Sequence, residues 1–591
     1  MKKIILFLLI IAVSVNLFAK DQQILPLEND IYDYIDYVYI LDSKIPPTSA
    51  KPYSIGQMKV YLNEIDYNSL NKTARKYYNF ILEELNKEDL DIKLDNYSSI
   101  DVEATSGLEM YSHTNTVDTT TFRDWVYDQE DRIPLLKLNL KLSVDDIFFT
   151  TSELQYMQGK YEPSDSSDYY LEDADFYSAY SDSISPATYI PGHYEIKDES
   201  TNEFIPGYWS YDRITYSTKA EQYTKAFSTN VPIASKYIDF DTPKRAIISV
   251  GGKNINFNYS RDKINWGNSI LGNFIYDDHI KHNFLNLKVY SSNFNINNTV
   301  AFLNTKTSSG EDPDDKIKMF LAHRLEFMPL DFFRFAVSEN VMYVDDKSNF
   351  LYFNPSYIYH NINMRGMFNA IASLETEVLL FNRVNWYSQF VLDQARAPNE
   401  DDSQSGAWGL SSGLNYIIPV KEDILSLSVE GLYTLPCLYR RDIVDFIVFD
   451  RTFVINQSYV IEPTFIGYEE GGDTVAFKIQ AEYDKLNKFK ALLYYSLTLK
   501  GEVDIFTPLH EENDGSYTND GKPNYGEQIF KNGVYSAKHI IHSALNYTMY
   551  NNNNLNISNI TTLSYIYYQQ FKPTSDTYND FQFSTGIKIK Y

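Results

Sequence analysis

The final segment, 581–591, constrains this chain more than any other. Phe581, Phe583, Thr585, Ile587, Ile589 and Tyr591 share one face of an extended strand, while Gln582, Ser584, Lys588 and Lys590 share the other. Such a strand has two homes. In a soluble sandwich the charged side meets water and the apolar side a core; in a membrane barrel the apolar side meets lipid and Lys588 and Lys590 face the lumen. Periodicity alone does not separate them. The same period of two recurs at 135–144, 284–290, 319–327, 425–432, 475–483, 491–499 and 561–567. Many of these segments carry Tyr or Phe near their ends, as aromatic girdles at two membrane interfaces require.

Composition favours the membrane. Lys2 and Lys3 precede an apolar run over 4–15 that reaches the small residue Ala19, the pattern of a secretory signal over 1–19. The run is shorter than the roughly 20 apolar residues of a spanning helix. No Cys stands near the expected cut, which argues against a lipid-anchored form. Past it, no apolar stretch is long enough to cross a bilayer as a helix. Of 591 residues, 51 are Tyr, 36 are Phe and one is Cys, Cys437. An exported, Tyr-rich chain without disulfides fits the bacterial outer membrane, with outer-membrane lipid as its surroundings. Its aromatic end at Tyr591 resembles the signal by which barrel-assembly machinery recognises its clients, so that machinery is an expected partner. The formal charge of -27 argues against a nucleic-acid partner, because phosphate binding needs clustered Lys and Arg.

The stretch 20–100 reads differently. Ile31, Tyr34, Ile35, Val38 and Leu41 recur at helical spacing, and Pro46 and Pro47 break the pattern. A capping box at Ser54 to Gln57 opens a second helix with Ile55, Met58, Leu62 and Ile65 on one face. A third face follows at Leu70, Ala74, Tyr77, Ile81 and Leu85. Three helices this short bury little alone, so they are expected to form a bundle or plug against the barrel, or else a small periplasmic domain. The region 101–591 is then a transmembrane antiparallel β-barrel with long external loops. Roughly 490 residues, at about 25 to 30 per strand with its connection, give about 16 to 20 strands, with about 18 the best single value. The polar inserts 163–182, 308–315, 399–405 and 511–526 are the candidate external loops.

Few residues suggest chemistry. The echo Ile190-Pro191-Gly192-His193-Tyr194 and Ile205-Pro206-Gly207-Tyr208-Trp209 reads as a hairpin in one external excursion, in which Tyr194, Tyr208 and Trp209 could form an aromatic platform for sugar faces. His279 and His282 stand beside Asp277 and Asp278, a pattern more common in polar turns than in metal sites. Acids at 311–315 lack defined calcium-ligand spacing. No nucleophile elbow, P-loop, dinucleotide or metalloprotease motif is visible, so neither an enzyme nor a cofactor is expected.

The central region resembles the capsule-assembly family of Wzi-like outer-membrane barrels. The likeness rests on Arg261-Asp262 followed by Trp266-Gly267 and Gly272-Asn273-Phe274; on His323-Arg324 with Glu326, and Glu339 with Val341; on Asn354-Pro355, His360, Asn369 and the run from Tyr387 through Gln389 to Asp393; and on Gly467 with Gly472-Asp473. The sequence departs from the family pattern at Ser260, where a glycine is usual, and in its acidic insert near 161–182. The resemblance implies a barrel with a helical start that anchors surface polysaccharide. Read physically, Arg261, Asp262, Arg324, Glu326, Glu339 and Asp393 are charges on strand-like segments. Because a charge on the lipid face costs about 2–4 kcal/mol at mid-membrane, all six are expected to face the lumen. There, with Trp266, they would pair with one another or with the helices, or Arg261 and Arg324 would hold an acidic glycan. A porin-like channel favouring cations and an adhesin acting through its loops are the alternatives.

Overall fold

The computed structural model describes residues 20–87, 92–94, 97–115, 125–161, 184–190, 193–198, 204–206, 225–239, 241–303, 317–345, 350–359, 368–394, 406–440, 444–454, 458–505, 528–552, 555–572 and 575–591. The expected signal segment, 1–19, lies outside them, as does His360.

The alternating segments become eighteen strands. In chain order they are β1 (Ser98–His113), β2 (Leu136–Val144), β3 (Phe148–Tyr156), β4 (Arg245–Gly252), β5 (Ile255–Lys263) and β6 (Lys281–Tyr290). Next come β7 (Phe294–Leu303), β8 (Ile317–Leu330), β9 (Phe333–Asp345), β10 (Phe368–Leu380), β11 (Val384–Gln394) and β12 (Ala407–Val420). The last are β13 (Asp423–Thr434), β14 (Thr474–Lys485), β15 (Phe489–Lys500), β16 (Ser536–Asn552), β17 (Leu555–Gln570) and β18 (Asp576–Lys590). Each pairs antiparallel with its neighbours in sequence, and β18 returns to β1, from Gln582 opposite His113 to Lys590 opposite Thr105. The sheet therefore has no free edge in its main ring.

Closure decides between the two homes left open above. Outward residues such as Val102, Leu108, Ile248, Phe257, Leu374, Leu410, Leu493, Leu563, Phe581 and Ile587 are exposed, whereas Asp101, Glu109, Asn258, Asn286, Glu375, Glu430, Gln582 and Ser584, one register step away, are buried. An apolar outside around a polar inside is stable only where lipid replaces water at the outer wall.

The two ends differ. Tight turns such as 253–254, 331–332 and 421–422 close one end, where Lys421 takes a φ of 60°. The other end carries the long connections, among them 157–244, 264–280 and 435–473. The four inserts expected as loops lie outside the described residues, within connections that leave and re-enter strands at this loop end. Within 157–244, Ile184–Ile190, His193–Asp198 and Phe204–Pro206 form a three-stranded antiparallel sheet in which Tyr189 pairs with Tyr194. One connection turns outward instead: Tyr352 and Tyr359 pack on Val300, Met319, Leu321, Val341 and Tyr343 of the outer wall.

Three helices occupy the turn-end mouth: α1 (Ile31–Leu41), α2 (Ile55–Leu62) and α3 (Lys72–Leu85). Their apolar faces meet the inward residues Met328, Leu379, Ile417 and Ile424. α1 is buried on nearly every side, which explains a sequence apolar beyond a single stripe. Ser54 caps α2 by accepting from the Gln57 backbone N–H at 3.1 Å, but the reciprocal half of the expected capping box is missing, because the Gln57 amide donates to Tyr61 Oη at 2.7 Å. Polar pins fix the bundle to the wall. Tyr77 Oη donates to Asp484 at 2.7 Å, Tyr37 Oη to Glu482 at 2.8 Å, and Lys490 pairs with Asp33 at 2.6 Å.

Candidate functional site

The prolines that break the helical pattern do more than end α1. Residues 46–53 run extended into the lumen, and because proline has no N–H, their carbonyls become the contacts. Pro46 O accepts from Arg334 Nη1 at 2.8 Å, Pro47 O from the Asn295 amide at 3.1 Å, and Pro52 O from Lys288 Nζ. From the loop end, the connection 264–280 folds inward to meet this segment. Ala50 and Lys51 pair with Trp266 and Asn265, and the Gly267 N–H donates to Ser49 O at 3.1 Å. Chain entering from opposite ends of the barrel thus joins in one short ladder.

Arg324 and Glu326 stand beside that ladder, both on the inward face of β8 and both buried. Arg324 Nη2 donates to Ser49 Oγ at 2.8 Å, to Glu375 Oε2 at 2.9 Å and to Glu326 Oε1 at 3.1 Å. Glu326 also accepts from the Ser49 N–H at 3.1 Å and from the Thr48 hydroxyl. Arg334 binds Glu377 on the neighbouring strand. Two arginines and three carboxylates, all buried and held by charge-assisted hydrogen bonds, fix the inserted segment.

The other motif residues hold the inward connection. Asp262 accepts from Arg245 Nε at 2.8 Å, and Arg245 reaches Ile24 O at 2.9 Å. Gln389 donates to Trp266 O at 3.2 Å and to Asn273 Oδ1 at 2.7 Å. Tyr387 Oη donates to Glu430, which also accepts the Ile270 N–H at 2.7 Å. Asp393 accepts from the Tyr439 N–H at 2.8 Å, tying down the connection 435–473. Gly267 has a φ of 130°, and a Cβ there would lie 1.5 Å from the Gln389 amide nitrogen, so only glycine fits. Trp266 is fully buried, its ring 5.0 Å from that of Tyr276, with the Arg324 guanidinium 5.7 Å from its ring centre.

Two of the six charges do not face the lumen. Arg261 neighbours the inward Asp262, and period two forces it outward, where it pairs with Asp241 at 2.7 Å near the loop end. Glu339 lies between inward Ser338 and Asn340, so it too points outward, accepting the Tyr359 N–H at 3.1 Å under the covering segment. Both avoid bare lipid through these protein partners. Of the aromatic platform, Tyr194 sits on the His193–Asp198 strand, while Tyr208 and Trp209 lie outside the described residues. Tyr591 follows β18, and its N–H donates to Ala104 O at 2.8 Å.

His279 and His282 diverge. His279 Nε2 lies 3.0 Å from Phe465 O and 3.1 Å from Thr464 Oγ1. Burial would lower its pKa, but the Asp277 and Glu469 carboxylates outweigh that and raise it. His282 turns inward against Tyr276, and among the described residues no group of three or more His, Cys or acidic residues is placed to hold a metal ion. Glu375, Glu377, Arg334, Thr48 and Ser49 carry the central network yet belong to no motif and were missed in the sequence; the one signal there, the alternation of Glu375 and Glu377 with Leu374, Thr376 and Val378, could have found two of them.

No family model and no curated protein matches the chain. Among solved structures, it is similar to Wzi of Escherichia coli, described as an outer membrane protein involved in group 1 capsule assembly and a carbohydrate-binding β-barrel. That similarity has a TM-score of 0.52 at 11% identity, covering 96% of this chain and 98% of that one. Weaker similarities are to OccAB4 of Acinetobacter baumannii, with a TM-score of 0.36, 10% identity and coverage of 83% and 98%, and to OccD3 (OpdP) of Pseudomonas aeruginosa, with 0.37, 8% and coverage of 84% and 92%. By fold, the protein is an eighteen-stranded bacterial outer-membrane β-barrel with three N-terminal helices.

Proposed function

We propose that the protein binds surface polysaccharide at its loop end and holds it without catalysing a reaction. The observation that carries this reading is the ladder at Ala50–Lys51 and Asn265–Trp266, where chain from both mouths blocks the lumen as a wide pore. In outer-membrane barrels the short turns face the periplasm and the long connections face outward, so the loop end is the surface offered to the exterior. The likeness to a carbohydrate-binding barrel supports a glycan as what it meets there.

The geometry divides the two arginines first considered for an acidic glycan. Arg324 is enclosed and occupied by Ser49, Glu326 and Glu375, whereas Arg261 keeps 30% of its side chain exposed. Arg261 is therefore the glycan contact, and Arg324 a structural one. Sugar faces would stack on the platform of Tyr194, Tyr208 and Trp209. The test is binding of the cell's own surface polysaccharide to the purified barrel. Trp209→Ala should weaken it several-fold and leave the glycan uncut; unchanged binding removes the platform, and no binding by the natural protein overturns the reading.

A further inference from the structure

On β8 and β9 the outer wall carries phenylalanine down to the turn end. Phe327 lies between the buried, inward Glu326 and Met328, and Phe333 and Phe335 alternate with the buried Arg334 and Ala336, so all three face outward. A bulge between Phe327 and Leu330 brings Leu330 opposite Phe333, on the same outer side. The rings run on from Phe294 of β7 to Phe327 at 5.9 Å, from Phe327 to Phe335 at 5.8 Å and from Phe335 to Phe333 at 6.0 Å. The tract continues onto the tips of two neighbouring turns, which are joined by the Leu379 N–H donating to Phe332 O at 2.9 Å. Phe332 is half exposed, and Phe381, with a φ of 50°, is 89% exposed. Other tips are polar, as at Lys253-Asn254, Ser291 to Asn293 and Lys421-Glu422.

We propose that these two tips anchor the barrel in the turn-side phospholipid leaflet, with Phe332 and Phe381 among the acyl chains. The aromatic tract is continuous with outward Val337 and Leu374 of the lipid-facing wall, so its neighbour is the same lipid. The level of the bilayer supports this occupant. Asn298, His323 and Glu339 stand side by side on the outer faces of β7, β8 and β9. The His323 ring stacks on that of Tyr359 at 4.1 Å, under a covering segment that exposes Asn354 and Ser356. Irregular backbone with exposed polar groups is not tolerated in hydrocarbon, so the hydrocarbon lies on the turn side of this row. Phe332 follows His323 by nine residues. At about 3.3 Å per residue and a strand tilt of about 40°, that is about 23 Å along the barrel axis, close to the roughly 25 Å apolar band of outer-membrane barrels. In this sector the band therefore ends at the tips themselves.

The same turn carries the helices. The Ile45 N–H donates to Asp331 O at 2.7 Å, and Pro46 O accepts from Arg334 Nη1 at 2.8 Å, so the bundle is fastened to the part of the wall that grips the leaflet. Anchoring through these tips goes beyond the glycan-binding reading and stands independently of it.

The test uses the full-length protein in phosphatidylcholine vesicles, with a polarity-sensitive nitrobenzoxadiazole probe attached at Phe381→Cys. Lys253→Cys gives the reference tip, and the natural protein, whose Cys437 is buried, gives the labelling blank. Emission at Phe381→Cys should be blue-shifted from that of the reference. It should be quenched several-fold more by lipids brominated on their acyl chains than by iodide present on both sides of the membrane, and the reference tip should show the reverse order. Heat-modifiable gel mobility reports whether each variant is folded; if Phe381→Cys is not, Phe332→Cys carries the same test. Quenching mainly by iodide would place the phenylalanine tips in water, and quenching by neither agent would place them against protein, such as a second copy of this chain. Either result, or an equal response at the reference tip, would overturn the proposal.

Discussion

At Arg324 a single guanidinium links three stretches of chain: its own strand, Glu375 on β10 and Ser49 of the inserted segment. Replacing it strands Glu326 and Glu375 in a dry interior, and removing one partner of a buried charge network costs about 3–5 kcal/mol. Arg324→Ala should therefore lower the thermal unfolding transition of the folded barrel in detergent sharply. Arg261→Ala, which loses a partly exposed pair with Asp241, should cost about 0–1 kcal/mol. Equal losses in the two variants would contradict the placement of these residues. Sequence could say that strand charges avoid bare lipid, but it overreached in sending adjacent Arg261 and Asp262 to one side. The pleat allows only one of them inward, and the other finds Asp241, more than a dozen residues upstream and invisible to local pattern. Glu339 misled for the same reason: its shelter is Tyr359, brought over the outer wall by a connection with no periodic signal.

Among the elements, strands and helices were legible because each repeats its own period. The residues expected on the helix faces, from Ile31 to Leu85, are buried, and the last strand keeps Phe581 and Ile587 outward with Gln582 and Ser584 inward. The segment 46–53 was legible only as a break. An extended segment whose carbonyls seek partners far along the chain carries no period, and nothing local pairs Lys51 with Asn265. That pairing is directly testable. With Lys51→Cys and Asn265→Cys introduced together, register opposition should allow a disulfide to form in the oxidising periplasmic compartment, seen as altered mobility on a non-reducing gel. Two thiols that remain free and open to alkylation would show that the inserted segments do not meet.

The whole molecule combines an apolar outer wall, a lumen crossed by its own chain and one end built from long connections. Such a barrel is suited to presenting a surface and ill suited to wide, unselective transport. Orientation follows from topology, since the connections of two and three residues lie at the end that holds the helices. The most direct test of the central claim is retention of surface polysaccharide by cells with and without the gene, measured as cell-attached against released glycan at equal total production. Loss of the protein should shift glycan from the cell-attached to the released fraction, and the natural gene should restore it. An unchanged partition in cells lacking the protein would contradict it.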